Sequence, residues 1–300
     1  MTVILVYMYD LPQPDEHCSF QPLSSRENSA WSAYFKDESI LEEINKDVQR
    51  TYPDMHFFVD DKKHYKALHR ALFIYAKLNP GICYVQGMNE IYAPIYYVLA
   101  HDEDPECVAN AEKDAFFCFV NLMSKIRDNF CETLDQSEVG IKGSLSDMMK
   151  ILKRVDLELW ANLKEKDINP QFYGLRWLSL LLSQEFDLPD LIRLWDSFFS
   201  AEKPTQFLLV FCCAMLMHVR YELLNGDFGE NIKLLQSFPT ATAAGPTDMN
   251  MLLERTKELH TVLRNSPRKS PPQSQQGVPL AQTRAALSNA ASAARNLLGW

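Results

Sequence analysis

The chain has 300 residues, of which 47% are hydrophobic and 23% charged, with a formal net charge of −9 at pH 7. That balance supplies ample apolar material for a core, and the acidic excess argues against a general DNA or RNA clamp. Ten Gly and sixteen Pro are too few for a collagen-like or wholly disordered chain, and seven Cys without a C-x-x-C pair read as reduced thiols in a cytosolic protein.

The opening MTVILVYMYD is apolar, but it carries no basic segment and runs into DLPQPDEH, so it makes a poor secretory signal. Residues 1–35, with Pro12, Pro14 and Pro22, read as a loop-rich arm. From 36 to 265 the apolar pattern is helical. Ile40, Leu41, Ile44 and Val48 share one face of a helix over 37–50, and Pro53 follows closely. Tyr65, Leu68, Leu72, Tyr75 and Leu78 define a second helix over 64–78, stopped by Asn79-Pro80-Gly81. A short loop over 82–85 leads to a helix over 89–100, where Pro94 predicts a kink. Further helices are predicted near 111–130, 145–166, 170–185, 188–199, 204–224 and 247–263. Hairpin-bounded alternation and fixed-period repeats are missing. The longest apolar run, Phe207 to Met217, falls short of the roughly 20 residues a membrane span needs and predicts a buried core helix. Residues 266–300 change to Ser, Pro, Gln and Ala, with no Asp or Glu and four basic residues, and read as a disordered low-complexity tail. The last stretch, Ala285 to Leu298, has weak helical character at most. The predicted fold is all-α, an irregular two-lobed body of many helices.

Three segments carry candidate chemistry. In Ile44-x-x-Asp47-x-x-Arg50, the acid and the base share a helix face. A surface ion pair accounts for that spacing. So does a second reading, in which Arg50, at a helix end, projects beyond the fold while Asp47 orients its stem. A planar cation there suits the charge of a phosphoryl-transfer transition state. In Tyr84-Val85-Gln86-Gly87-Met88-Asn89, Gly87 permits unusual backbone angles, and the Gln86 amide, both donor and acceptor, can hold a water against a phosphorus atom. The same segment is also explained as a turn in which Asn89 caps the next helix. The third segment, 172–199, reads as two core helices joined at Asp187-Leu188-Pro189, with aromatic packing and a partly buried Arg193–Asp196 ion pair.

Other chemistries lack their signatures. The sequence has no G-x-x-x-x-G-K-[ST] loop, so no nucleotide site of that kind is expected on this chain. H-E-x-x-H and G-x-S-x-G are missing too, and His64 and His69 are wrongly spaced to share a helix face.

Together, INKDVQRTYP at 44–53, YVQGMNE at 84–90 and FYGLRWLSLLLSQEFDLPDLIRLWDSFF at 172–199 resemble the TBC domain of Rab GTPase-activating proteins, over roughly residues 32–260. The resemblance implies an all-α Rab-GAP domain with two fingers supplied in trans. Its arginine finger falls on Arg50 and its glutamine finger on Gln86. It implies that Asp47 orients Arg50 and that Tyr84, Gly87 and Asn89 shape the glutamine loop. The partner implied is a Rab-family small GTPase in its GTP-bound form, which binds GTP and magnesium itself. No cofactor, metal or nucleic acid is expected on this chain. The implied setting is vesicle trafficking in the cytoplasm, with membranes met only indirectly, through the GTPase. The family's domain opens with an arginine-and-tryptophan helix that the arm before Trp31 does not match. The chain therefore reads as lacking the domain's N-terminal segment, which keeps a non-catalytic Rab-binding or trafficking adaptor as the alternative function.

Overall fold

The computed structural model describes residues 30–126, 140–238, 241–242 and 245–265. The arm before residue 30, where the family's opening helix was sought, and the tail from 266, including Ala285 to Leu298, lie outside the described residues. The chain divides into two units, Met1–His260 and Thr261–Trp300. Of the second unit the described residues are 261–265, the close of the last helix.

The architecture is all-α, and every predicted helical segment contains helix. Helix α1 (Ala30–Gln49) begins before the periodic pattern does, so residues 30–35, read from the sequence as arm, belong to it. Its inner face carries Ile40, Ile44, Asp47 and Val48. A single turn, α2 (His56–Val59), follows and is anchored by buried Phe58. It is too short for periodicity to reveal. Helix α3 (Lys62–Leu78) starts at Asp61, whose carboxylate accepts the Lys63 N–H at 2.8 Å. It buries Ala67, Leu68, Ala71, Leu72, Tyr75 and Ala76 on one side, and ends at Asn79. Helix α4 (Met88–Ala100) runs on through Pro94, whose missing N–H leaves the Glu90 carbonyl without its helical donor. Helix α5 (Pro105–Ile126) lies along α4 in the most extensive helix–helix contact of the structure. Tyr75, Tyr92 and Phe119 meet edge to face where α3, α4 and α5 join. Such pairs add about 0.5–1.5 kcal/mol beyond the area they bury.

The later helices form their own packing group. Helix α6 (Ile141–Val155) buries Ile141, Leu145, Met148 and Leu152, a clean one-face spacing. The single helix predicted over 145–166 is two, because the chain breaks at Asp156 before α7 (Leu157–Glu165). Asp156 caps α7 by accepting the Leu159 N–H at 2.9 Å, and its other oxygen accepts Arg220 Nε at 2.7 Å. Helix α8 (Gln171–Ser179) stops short of the predicted 185, and the chain continues irregularly to α9 (Leu188–Ser200). Helix α10 (Pro204–His218) is buried continuously from Phe207 to Leu216. The predicted 204–224 helix breaks at Val219, giving the short α11 (Arg220–Asn225). Helix α12 (Phe228–Gln236) opens with a capping box between Asp227 and Glu230, whose three-residue spacing is present in the sequence. A two-residue antiparallel pair, β1 (Ala241–Thr242) and β2 (Gly245–Pro246), precedes the last helix, α13 (Met249–Asn265). Helix α6 packs on α7, α8 and α10, and α10 also receives α8 and α9.

The expected Arg193–Asp196 pair does not form, and both residues are exposed. The ion pair of that region is Arg176 with Glu185, at 2.7 Å and 3.0 Å, and the Glu185 carboxylate is 1% exposed. Burial pushes the Glu185 pKa up, while the Arg176 guanidinium pulls against it.

Candidate functional site

Asp47 and Arg50 lie at the C-terminal end of α1, on the same face. Arg50 Nη2 donates to Asp47 Oδ1 at 2.6 Å. The arginine side chain is 57% exposed and the aspartate side chain 7%, so a buried anion holds the base of a cation that faces outward. Helix α1 then ends in two tight turns, Arg50 N–H to Asp47 O and Thr51 N–H to Val48 O, and Tyr52 takes a left-handed φ of 44°.

Gln86 arrives from a different segment. Asn79 closes α3, and the loop turns through Cys83, with φ 62°, to Gly87 at φ 98°, which is the N-cap of α4. Asn89 is therefore not the cap. It is buried in the first turn of α4 and ties the two segments together. Its Nδ2 donates to Thr51 Oγ1 at 2.9 Å and to Glu90 Oε1 at 3.1 Å. Thr51 Oγ1 in turn donates to Asp47 O at 3.0 Å. The Gln86 side chain is exposed and makes no hydrogen bond among the described residues.

The second oxygen of Asp47 reaches into the glutamine loop. Tyr84 Oη donates to Asp47 Oδ2 at 2.5 Å, and the Gly87 N–H points to the same atom at 3.4 Å. Burial and the hydrogen bond to Asp47 both push the Tyr84 pKa well up, so the phenol keeps its proton and stays a donor. Asp47 thus accepts from more than Arg50. One carboxylate seats the arginine with one oxygen and the glutamine loop with the other. Tyr84 and Gly87 face that carboxylate, and Asn89 Oδ1 lies 3.3 Å from Tyr84 Oη behind it. Thr51 and Glu90 belong to the same network, and no sequence motif assigns either a role. Nothing local in the sequence links Thr51 to a residue on α4, 38 positions away.

Glu90 is the least comfortable group in the network. Burial raises its pKa from the ordinary 4.5 to about 7, against the Asn89 hydrogen bond and the Arg50 charge, which lower it, and with Asp47, which raises it further. The Tyr52 hydroxyl, buried without a partner, has its pKa raised by burial and then by the Glu90 charge. A raised acid pKa means that the folded chain keeps a proton the unfolded chain releases. The stabilisation is full below pH 4.5 and is lost as the pH climbs through 7. Glu90→Gln mimics the protonated form. It is expected to raise stability at pH 8 by up to about 3 kcal/mol, with the gain shrinking towards pH 5. Thermal denaturation of both proteins at the two pH values checks this.

Among the described residues, no group of three or more His, Cys, Asp or Glu is arranged to hold a metal ion, and no helix is long and apolar enough to cross a membrane. The site offers an outward-facing guanidinium, a free carboxamide and a shared anchor for both.

The comparisons identify the family to which this helical fold belongs. The Rab-GTPase-TBC domain family model matches residues 14–224, and the chain belongs to that family. It is 40% identical to TBC1 domain family member 13 of Homo sapiens over 302 residues, covering 79% of this chain and 74% of that protein. It is 27% identical to the GTPase-activating protein gyp1 of Schizosaccharomyces pombe, over 68% of this chain and 42% of that one. The crystal structure of the Ypt/Rab-GAP domain of Gyp1p matches with a TM-score of 0.65 at 25% identity, over 76% of this chain and 75% of that one.

Proposed function

We propose that the chain is a GTPase-activating protein for a Rab-family small GTPase, working through Arg50 and Gln86. The observation that supports this most is the Asp47 carboxylate, which accepts from Arg50 and from the Tyr84 and Gly87 donors of the glutamine loop. Two exposed groups of the right chemistry are thereby held from one rigid point. The GTP-bound partner supplies the nucleotide and its magnesium, and this chain adds what the partner's own site lacks. Arg50 compensates the charge that spreads over the transferred phosphoryl group, and its planar fork matches phosphate oxygens. Gln86 takes a hydrogen bond from the attacking water and gives one to a phosphate oxygen, which aims the water along the line of attack. No bond forms between this chain and the nucleotide. Catalysis is positioning and electrostatics alone. A GTPase carried on a membrane would bring this chain there indirectly, within vesicle trafficking.

Single-turnover GTP hydrolysis across a panel of purified Rab proteins tests the reading. At least one Rab is expected to be accelerated by the unaltered chain. Gln86→Ala is expected to cut that acceleration by about 10²-fold, the scale of a misplaced reactant, with Rab affinity nearly unchanged because one exposed amide is lost. Rab binding without any acceleration would put the adaptor reading first.

A further inference from the structure

Among the described residues, five that are not glycine hold a left-handed φ: Tyr52, Cys83, Asp167, Leu181 and Leu182. Side chains disfavour that region, and it persists only where the surroundings impose it. Four of the five border the site. Tyr52 lies just beyond Arg50, Cys83 lies in the loop of Gln86, and Leu181 and Leu182 follow a residue that touches that loop.

That residue is Leu180, the C-cap of α8. The Leu182 N–H donates back to Trp177 O at 2.9 Å, the six-to-one closure that normally places glycine at the left-handed position. Here the position is Leu181, and Trp195 Nε1 on α9 holds its carbonyl at 3.0 Å. Ser183 N–H closes on Leu180 O at 3.1 Å. The turn keeps Leu180 buried, at 8% exposure, with its branched end over Gly87. A Cβ on Gly87 would lie 2.5 Å from Leu180 Cδ2 and 3.4 Å from Cδ1. Gly87 is therefore gripped twice, by the Asp47 carboxylate on its N–H and by the leucine over its α-carbon.

We propose that Leu180 is a positioning residue for Gln86: seated on the left-handed Gly87 by the strained turn after α8, it fixes the glutamine loop from the later helices. Truncating it leaves the loop attached to Asp47 but free to lift. The catalytic part of this proposal rests on the reading of Gln86 above, and the contact itself does not.

Three variants of the full chain decide it. Leu180→Ala empties the space over Gly87, Leu180→Met refills it, and Leu191→Ala truncates a fully buried leucine on α9 as a control for stability alone. Amide hydrogen exchange is followed at Gly87 and Met88. Single-turnover hydrolysis is titrated on the GTP-loaded Rab that the unaltered chain accelerates most. Relative to Leu191→Ala, Leu180→Ala is expected to speed exchange at both amides by about tenfold and to cut the maximal rate by about tenfold, with the half-saturating concentration within about twofold. Leu180→Met should restore both. The proposal is overturned if Leu180→Ala matches Leu191→Ala in loop exchange or in maximal rate, or if Leu180→Met restores neither. If the unaltered chain accelerates no Rab, the reading of Gln86 fails, and exchange alone decides the contact. If Leu180→Ala does not fold, Leu180→Val takes its place, and control-level exchange in that variant overturns the proposal equally.

Discussion

Arg50→Ala is expected to remove almost all GTPase activation, a loss of roughly 10³ to 10⁵ in rate, the range for an arginine finger supplied in trans. The fold should survive. More than half of the arginine side chain is exposed, so its ion pair with Asp47 is screened and contributes on the order of 1 kcal/mol or less. Asp47 keeps its other donors, Tyr84 Oη and the Gly87 N–H, so the buried carboxylate is not abandoned. Arg50→Lys should fail as well, because a point-like ammonium cannot reproduce the planar fork. Single-turnover hydrolysis beside circular dichroism reads both effects. Near-normal turnover in Arg50→Ala, or an unfolded chain, would remove Arg50 from its assigned role. The Arg50→Ala, Gln86→Ala double variant should be little worse than Arg50→Ala, since groups that serve one step lose activity non-additively.

Asp47→Ala should be the more damaging change overall. It strips the acceptor from Arg50 Nη2, Tyr84 Oη and the Gly87 N–H at once. The first donor can turn to water. Tyr84 Oη retains Asn89 Oδ1, at 3.3 Å, as an acceptor, while the Gly87 N–H is left in a buried setting, where an unsatisfied group costs about 1–3 kcal/mol. A stability loss of about 1–3 kcal/mol is expected, with activation reduced at least 10³-fold because both fingers lose their seat. Asp47→Asn keeps one acceptor oxygen and the side-chain shape, so it should fold better than Asp47→Ala and still lose most activity. Denaturant unfolding separates the two losses. Full activity in Asp47→Asn would show that the charge of the shared anchor is dispensable.

The parts of the fold legible in the sequence are those decided locally. The one-face spacing of Leu68, Leu72 and Tyr75 and the Asn79-Pro80-Gly81 stop fix α3 without help from elsewhere. The breaks were not legible. Asp156 divides α6 from α7 partly because its carboxylate receives Arg220 from a distant helix, and no window around residue 156 contains that partner. The turn at Leu180–Leu182 hides more completely, since leucine is the wrong residue for a left-handed backbone and its support comes from Trp177 and Trp195. The site divides the same way. The spacing of Asp47 and Arg50 reveals their pairing, because both sit on one helix. It says nothing of the second oxygen of Asp47, whose donors belong to the loop before α4, or of Thr51, whose partner is Asn89. The Arg193–Asp196 expectation failed for the converse reason: spacing permits a pair, while two exposed side chains gain little from making it.

Helix α10 sets how this protein is free to diverge. From Phe207 to Leu216 it is apolar and enclosed on all sides, so it presents no edge to a partner and answers to volume alone. Exchanges there that conserve size are tolerated, and polar ones are not. The outer helices carry no such restriction over their exposed faces. Partner preference can therefore drift across the surface by substitution after substitution while the centre of the later helices stays fixed. A lineage can change the surface it offers a partner without disturbing the buried packing of α10.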